Sequence, residues 1–518
     1  MRTTIHRPGR AAMRVGPRPA RRRLSLLVAG AVAVALLGRP ESDAGAIEVR
    51  VFAPRRLDAG ALHTCAVDDD GLVRCWGTNG NGQLGYGPWS PGIVGDDETP
   101  STAGPVDLGV DGNGDARTAR GVTAGDLHTC VLLDEVELSG GVGSNVRCWG
   151  AGGDGRLGSG GTGDIDEPTD IDTVDFGSAL FHVGYNDDGL EIVEERERTA
   201  TAISAGGKHT CAILDDGDPT TGGDVRCWGD GTEGQLGYGN EDLVGDDEAP
   251  GDLPGDVHLG SGRTATAIAT GYDHTCVILD NGRVRCWGDG SYGQLGYGNA
   301  NDIGDDETPV AAGTVDLGPG RTATAIATGG FHTCVVMDNG RLRCWGHNDN
   351  GQLGYGHTDD DIGRVLTPGD PAVGTVHLGS GRTADAVSAG TVHTCAILDD
   401  GTTRCWGRGS SGELGLGSGT SVGDDETPAS VDPVDIATED TTAITLGNFH
   451  TCAALESGRL KCWGAGFQGQ HGYPLHPDLI GDDETPASLG FVVLGGRLSP
   501  QPAIVIGPPV IDPPVIGR

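Results

Sequence analysis

The stretch His274-Thr275-Cys276-Val277-Ile278-Leu279-Asp280-Asn281-Gly282-Arg283-Val284-Arg285-Cys286-Trp287-Gly288 decides the fold. Apolar residues alternate on both sides of Asp280-Asn281-Gly282, the pattern of two strands joined by a three-residue loop whose glycine takes the left-handed conformation. Pairing outward from the loop sets Cys276 opposite Cys286. The same doublet, His-Thr-Cys followed by Cys-Trp-Gly, occurs seven times in 518 residues and takes in all 14 cysteines. Copies begin at His63, His128, His209, His274, His332, His393 and His450. Their tryptophans, Trp76, Trp149, Trp228, Trp287, Trp345, Trp406 and Trp463, lie 73, 79, 59, 58, 61 and 57 residues apart. That is the period of a repeat architecture, not of a single catalytic core.

Five pairs, Cys65–Cys75, Cys276–Cys286, Cys334–Cys344, Cys395–Cys405 and Cys452–Cys462, are ten residues apart. Cys130–Cys148 and Cys211–Cys227 are eighteen and sixteen apart. The added residues are even in number, so they read as hairpin-tip extensions that leave the register intact. Each pair is expected to be a cross-strand disulfide within one hairpin, contributing about 2–3 kcal/mol by loop entropy. Metal binding is the rival use. It is disfavoured because no C-x-x-C occurs and because neighbours along a strand point to opposite faces, so His-Thr-Cys cannot close a tetrahedral site. No cofactor is expected.

Two further strand signals flank each hairpin, as in Val257-His258-Leu259-Gly260 and Ala265-Thr266-Ala267-Ile268-Ala269, giving four short β runs per unit with no helical periodicity. Four-stranded units repeated radially make a β-propeller, an all-β fold. After Trp-Gly comes a turn such as Gly293-Gln294-Leu295-Gly296-Tyr297-Gly298. His-Thr-Cys-x-x-x-Asp-x-Gly, then Trp-Gly, then Gly-Gln-Leu-Gly-Tyr-Gly, over roughly residues 54–495, resembles the repeat of the regulator of chromosome condensation family. The resemblance implies a seven-bladed propeller, here with one disulfide per blade in an exported form. Phe491-Val492-Val493-Leu494-Gly495 has no hairpin after it, so it is expected to pair with residues near Arg55 to Ala59 and complete the first blade. The propeller is assigned to residues 47–498 and a Pro-rich tail to 499–518.

Residues 1–46 carry nine arginines against Glu41 and Asp43, net +7. Arg21-Arg22-Arg23, the apolar run Leu24 to Gly38 and Ala44-Gly45-Ala46 read as a secretory signal with cleavage after Ala46, so a secreted or periplasmic protein is expected. Without that segment the formal charge goes from −39 to −39 − 7 = −46. Such a charge repels phosphate backbones, which argues against nucleic acid and favours cations or basic partners. No later stretch is apolar enough to span a membrane.

Gly-Asp-Asp-Glu-Thr/Ala-Pro recurs five times, at Asp96-Asp97-Glu98, Asp246-Asp247-Glu248, Asp305-Asp306-Glu307, Asp424-Asp425-Glu426 and Asp482-Asp483-Glu484. Calcium is one use for such oxygens, but EF-hand spacing is missing and Asp and Pro favour turns, so solvated entry turns are the reading. Seven equivalent histidines do not make an asymmetric catalytic group, and they are assigned to bonds between blades. The tryptophans are assigned to inter-blade core, their N–H on a carbonyl. What varies is more informative. Leu62, Leu127, Tyr272, Phe331, Val392 and Phe449 precede the His-Thr copies, Tyr292 and Phe467 are taken to stand at matching positions in the loop before Gly-Gln, and Trp89 lies outside the repeat. Loop aromatics that a fold does not require are candidates for a ligand-binding face. The reading is therefore a non-enzymatic binding module for a protein or glycan. The competing readings are guanine-nucleotide exchange, which the family resemblance implies for nuclear members, and a propeller hydrolase or enzyme inhibitor.

Overall fold

The hairpin signals become hairpins. In the fourth unit Ala265–Thr270, His274–Leu279 and Val284–Gly288 form an antiparallel ladder with Ala269 opposite Cys276 and Cys276 opposite Cys286. This computed structural model describes residues 55–498 except 89–91, 140–141, 186–190, 216–222, 437 and 475–478. The signal assigned to 1–46, the tail 499–518 and Trp89 lie outside the described residues.

Seven such ladders follow one another along the chain, in sheets of three to six strands. All fourteen cysteines pair as expected, with Cα atoms 4.0 or 4.1 Å apart, a closely spaced cross-strand pair. The two longer hairpins keep Cys130 opposite Cys148 and Cys211 opposite Cys227, so their insertions do extend the tips. The Trp149 to Trp228 interval is long for another reason. A separate two-stranded sheet, Ser178–Tyr185 with Glu191–Glu197, is inserted between the second and third units. It carries neither Cys nor Trp and was invisible to repeat matching.

The fourth run of each unit does not lie where the sequence suggested. The Val257 N–H donates to the Val225 carbonyl at 2.9 Å, Val315 to Val284 at 2.9 Å and Val492 to Leu460 at 2.9 Å. Each Val-x-Leu segment thus returns along the outer edge of the hairpin that precedes it. Phe491 to Leu494 therefore belongs to the seventh unit and does not pair with residues 55–59, because closing a short loop onto the adjacent edge costs less entropy than reaching the first unit. Leu57–Ala59 is already that unit's first strand, paired with His63–Val67.

Adjacent units are joined by a repeated clasp. Each histidine meets the threonine of the next unit: His63 with Thr129 at 3.0 Å, His209 with Thr275 at 2.9 Å, and so on to His450 with Thr64 of the first unit at 2.9 Å. Every such threonine hydroxyl donates to the carbonyl of the residue after the first glycine of the neighbouring turn, a Gln in five units, Arg156 and Glu413 in the others, as Thr275 does to Gln235 at 2.9 Å, and the indole N–H of Trp287 donates to the same oxygen at 2.9 Å. A hydroxyl has one proton, and it is spent on that carbonyl. Histidine Nε2 must then be the donor, which leaves Nδ1 bare and buried without a partner in all seven copies. Protonation would place an N–H where nothing accepts it, and burial holds the imidazoles far below their ordinary value of 6.5, to about 4 at His63 and His209 and about 3 at His274, His332, His393 and His450.

The first unit has one device of its own. Where the others place Thr123, Ser204, Ala269, Ala327, Ser388 and Thr445 opposite the first cysteine, it places Asp58. The buried Asp58 carboxylate accepts from the Thr123 hydroxyl at 3.0 Å and the Ala124 N–H at 2.9 Å in the second unit, and from the Thr445 hydroxyl at 3.1 Å in the seventh. It fastens the first unit to both neighbours.

Replacing Asp58 with Ala leaves those buried donors unmet and should cost about 2–4 kcal/mol, while Asp58→Thr, the residue of two sister units, should recover part of it. Denaturant unfolding measures both. For the histidines the folded value is depressed, so their contribution is present above 6.5 and lost as pH falls towards 4, where the unfolded chain binds protons that the folded one refuses. Glu98, Glu248, Glu307 and Glu426, pushed up to about 7, act in the opposite sense, their contribution being lost as pH rises through 7. Melting curves of His209→Gln against the parent isolate the histidine part: the variant should decline less steeply between pH 6.5 and 4.

Candidate binding face

The chain turns from each first strand into His-Thr-Cys through a glycine: Gly60, Gly125, Gly206, Gly271, Gly329, Gly390 and Gly447. A Cβ on any of them would collide with the carbonyl oxygen of the corresponding glycine in the next unit, Gly447 with that of Gly60, and with its own histidine ring. Only glycine permits this approach. These glycines and the residues after them, Ala61, Asp126, Gly207, Tyr272, Gly330, Thr391 and Asn448, line one cavity of about 80 Å³ contributed by all seven units. That is too small for a typical metabolite, whose sites run to about 300–1,000 Å³.

The next residue outward is Leu62, Leu127, Lys208, Asp273, Phe331, Val392 or Phe449, and its carbonyl accepts from the residue after Trp-Gly, as Phe331 does from His347 at 2.9 Å. Leu62, Leu127, Phe331, Val392 and Phe449 are half-buried and hold this one position. Tyr272 does not share it. It stands one residue inward, at the cavity, and the fourth unit presents Asp273 at the outer place. Phe467 is 56 % exposed and stands one residue earlier in its turn than Tyr292 does.

The fourth and fifth units bring four rings together. Tyr272 and Phe331 stack with centroids 5.6 Å apart, Phe331 and Tyr292 tilt at 5.5 Å, and Tyr292 meets His347 edge-on at 4.7 Å. Tyr292 is 39 % exposed, so the cluster opens to solvent. The Tyr272 hydroxyl reaches past the third unit to hydrogen-bond Asp126 of the second. Gly207 makes room, since a Cβ there would lie 2.7 Å from the Tyr272 carbonyl and 3.2 Å from its ring. Burial drives the Asp126 carboxyl up to about 6 against the pull of that hydroxyl and of Arg156 and Lys208. The Asp126 charge, followed by burial, pushes Tyr272 up to about 12. In the seventh unit the Phe449 ring lies under the Arg408 guanidinium at 4.8 Å.

His347 was missed by sequence reading. It follows Trp-Gly where other units have Thr, Ala, Asp or Arg, a variable place that could have flagged it. Its Nε2 is 3.2 Å from Asp349, and with Asp360 it forms a potential ligand group. The Asp-Asp-Glu loops at Asp96, Asp246, Asp305 and Asp424 each bring three carboxylates within 4.8 Å, half of what a calcium ion takes at the least. Their prolines follow an extended residue, as at Thr308 with φ −80° and ψ 155°, and open a short 3₁₀ or helical turn.

Gly207→Ala should push Tyr272 off Asp126 at a cost of about 1–3 kcal/mol, because the clash is with backbone. Unfolding should report the loss, and a spectrophotometric titration should show Tyr272 ionising at lower pH once released from Asp126.

A model of the RCC1-like domain matches residues 185–494, and one of the Regulator of chromosome condensation (RCC1) repeat matches residues 55–83. Ultraviolet-B receptor UVR8 of Arabidopsis thaliana is 28% identical over 427 residues, 82% of this chain and 80% of the receptor. E3 ubiquitin-protein ligase HERC2 of Homo sapiens is 26% identical over 79% of this chain, a span that is 7% of the ligase. Among solved structures, yeast RCC1 (Prp20) bound to Kap60 aligns with a TM-score of 0.57 at 19% identity, covering 88% of this chain and 91% of that one. Prp20p of Saccharomyces cerevisiae solved in another study gives 0.56 at 19% identity over 85% and 87%. At such identities the structures speak for the fold, and the domain match over most of the chain decides the family: this chain belongs to the RCC1-like domain proteins.

Proposed function

We propose that this protein is a closed seven-bladed propeller, exported from the cell, that acts without catalysis by holding a protein partner on the face where the seven turns meet. The observation that carries this reading is a division of labour. The repeated His, Thr, Trp and Cys side chains are all buried and engaged with one another, whereas the residues that differ between units gather around one opening. Closure is supported by the bond from His450 to Thr64 and by the approach of Gly447 to Gly60. Export is supported by the basic and apolar leader read in the sequence and by seven disulfides, which persist in oxidising compartments. No helix among the described residues is long and apolar enough to cross a membrane.

Protein partners suit the relatives: yeast RCC1 is bound by Kap60, and Prp20p was studied for its binding to Gsp1p and histones. A small-molecule site is ill served by a central cavity of about 80 Å³. The test is capture of partners from the medium and envelope of the producing cell by the mature protein. Tyr272→Ala combined with Phe449→Ala should weaken capture by about 1–3 kcal/mol per residue, whereas Asp96→Asn combined with Asp97→Asn on the acidic loops should leave it intact. Capture that survives the first pair and fails with the second would move the partner to the other surface.

A further inference from the structure

The ring cluster of the fourth and fifth units sits among carboxylates. Asp273 directly follows Tyr272, and among the described residues no side-chain hydrogen bond or ion pair is seen for its carboxylate. Asp289 lies beside it, its N–H donating to the Asp273 carbonyl at 2.8 Å. The Asp289 carboxylate is fixed in place by the Gln294 amide at 2.8 Å and the Ser291 N–H at 2.8 Å. Nearby cations are already engaged: Lys208 with Asp230 at 3.7 Å and Arg156 with Asp154 at 2.6 Å. Burial first, then Asp230 and Asp289, push the Asp273 carboxyl up to about 6 against the weaker pull of Lys208.

Resting on the reading of this face as a partner-binding surface, we propose that Tyr272, Tyr292 and Phe331, with the carboxylates of Asp273 and Asp289, take an arginine side chain from a basic segment of the partner protein. A guanidinium stacks its flat face on a ring and directs forked donors at two carboxylates, which an ammonium cannot do. The chain uses that pairing internally, with Arg408 over Phe449 at 4.8 Å and Arg459 over Phe491 at 3.8 Å. Formal net charge of −39 draws basic segments towards the surface, and the aromatic cluster decides where they lodge.

Fluorescence anisotropy with a labelled synthetic peptide alternating glycine and arginine, and with its glycine–lysine counterpart, tests the assignment at about 0.15 M salt, where long-range attraction is screened. The arginine peptide should bind several-fold more tightly than the lysine peptide. Tyr292→Ala, which alters no charge and removes a solvent-exposed ring, should weaken it about tenfold, as should Asp273→Asn, while Tyr292→Phe and the pair Asp246→Asn, Asp247→Asn leave it unchanged. Equal binding of both peptides, or equal losses from the acidic-loop pair and Tyr292→Ala, would reduce the effect to bulk charge and overturn the proposal. If arginine binding ignores Tyr292→Ala while natural partner capture still fails with Tyr272→Ala and Phe449→Ala, the arginine site falls and the partner-binding face stands. If capture also survives that pair, both fall.

Discussion

One hydrogen-bonded clasp recurs seven times and the rest of the structure is arranged to make it. A histidine N–H meets a threonine oxygen, the threonine proton meets a main-chain carbonyl, and a tryptophan N–H from the threonine's own unit meets the same carbonyl. Four polar groups are thereby satisfied in a site with no access to water, which is the condition for burying them at all. The glycine at the inner end of each unit lets the histidines approach the next unit, and the glycine after Leu in the turn leaves room for the indole, as Gly237 does for Trp287. The disulfide sits one residue beyond the threonine, so the covalent staple and the clasp share a strand.

This arrangement explains which residues are free to change. The accepting group is backbone, so Gln83, Gln235, Gln294, Gln352 and Gln470 can be replaced by Arg156 or Glu413 without losing the clasp. The glutamine side chain serves the turn instead, taking the N–H two residues back, as at Gln294 from Tyr292 at 2.9 Å. Glu413 does the same from Ser411 at 2.6 Å, and Arg156 holds its turn through the Gly153 carbonyl at 2.8 Å. With the clasp made by these repeated groups, it does not draw on the side chains of Leu62, Leu127, Phe331, Val392 and Phe449 before His-Thr.

The periodic content of the chain was legible: hairpins, cysteine pairs, buried tryptophans and histidines between units all follow from alternation and spacing. That the indole N–H groups would meet a carbonyl was legible too, but which carbonyl was not, because a backbone acceptor leaves no trace in residue identity. Phe491 to Leu494 was placed in the first unit from its position in the chain, whereas the nearer hairpin edge wins by proximity. The hairpin of residues 178–197 was overlooked because it shares no marker with the repeat. Of the candidate face, the identities of Tyr272, Tyr292 and Phe331 were readable, but their stacking was not, since the three rings come from different turns. Tyr272 reaching Asp126 depends on the bare backbone at Gly207, a relation visible only in space.

Each disulfide joins two cysteines that follow one another along the chain. Fourteen thiols admit on the order of 10⁵ complete pairings, extending the growth from 3 to 15 to 105 seen for four, six and eight. No cysteine needs to find any of the others: the hairpin that holds it brings its two sulfurs together. Oxidative folding of this protein is thus a series of independent local closures that calls for an electron acceptor but for no reshuffling, and its yield should depend little on disulfide isomerisation.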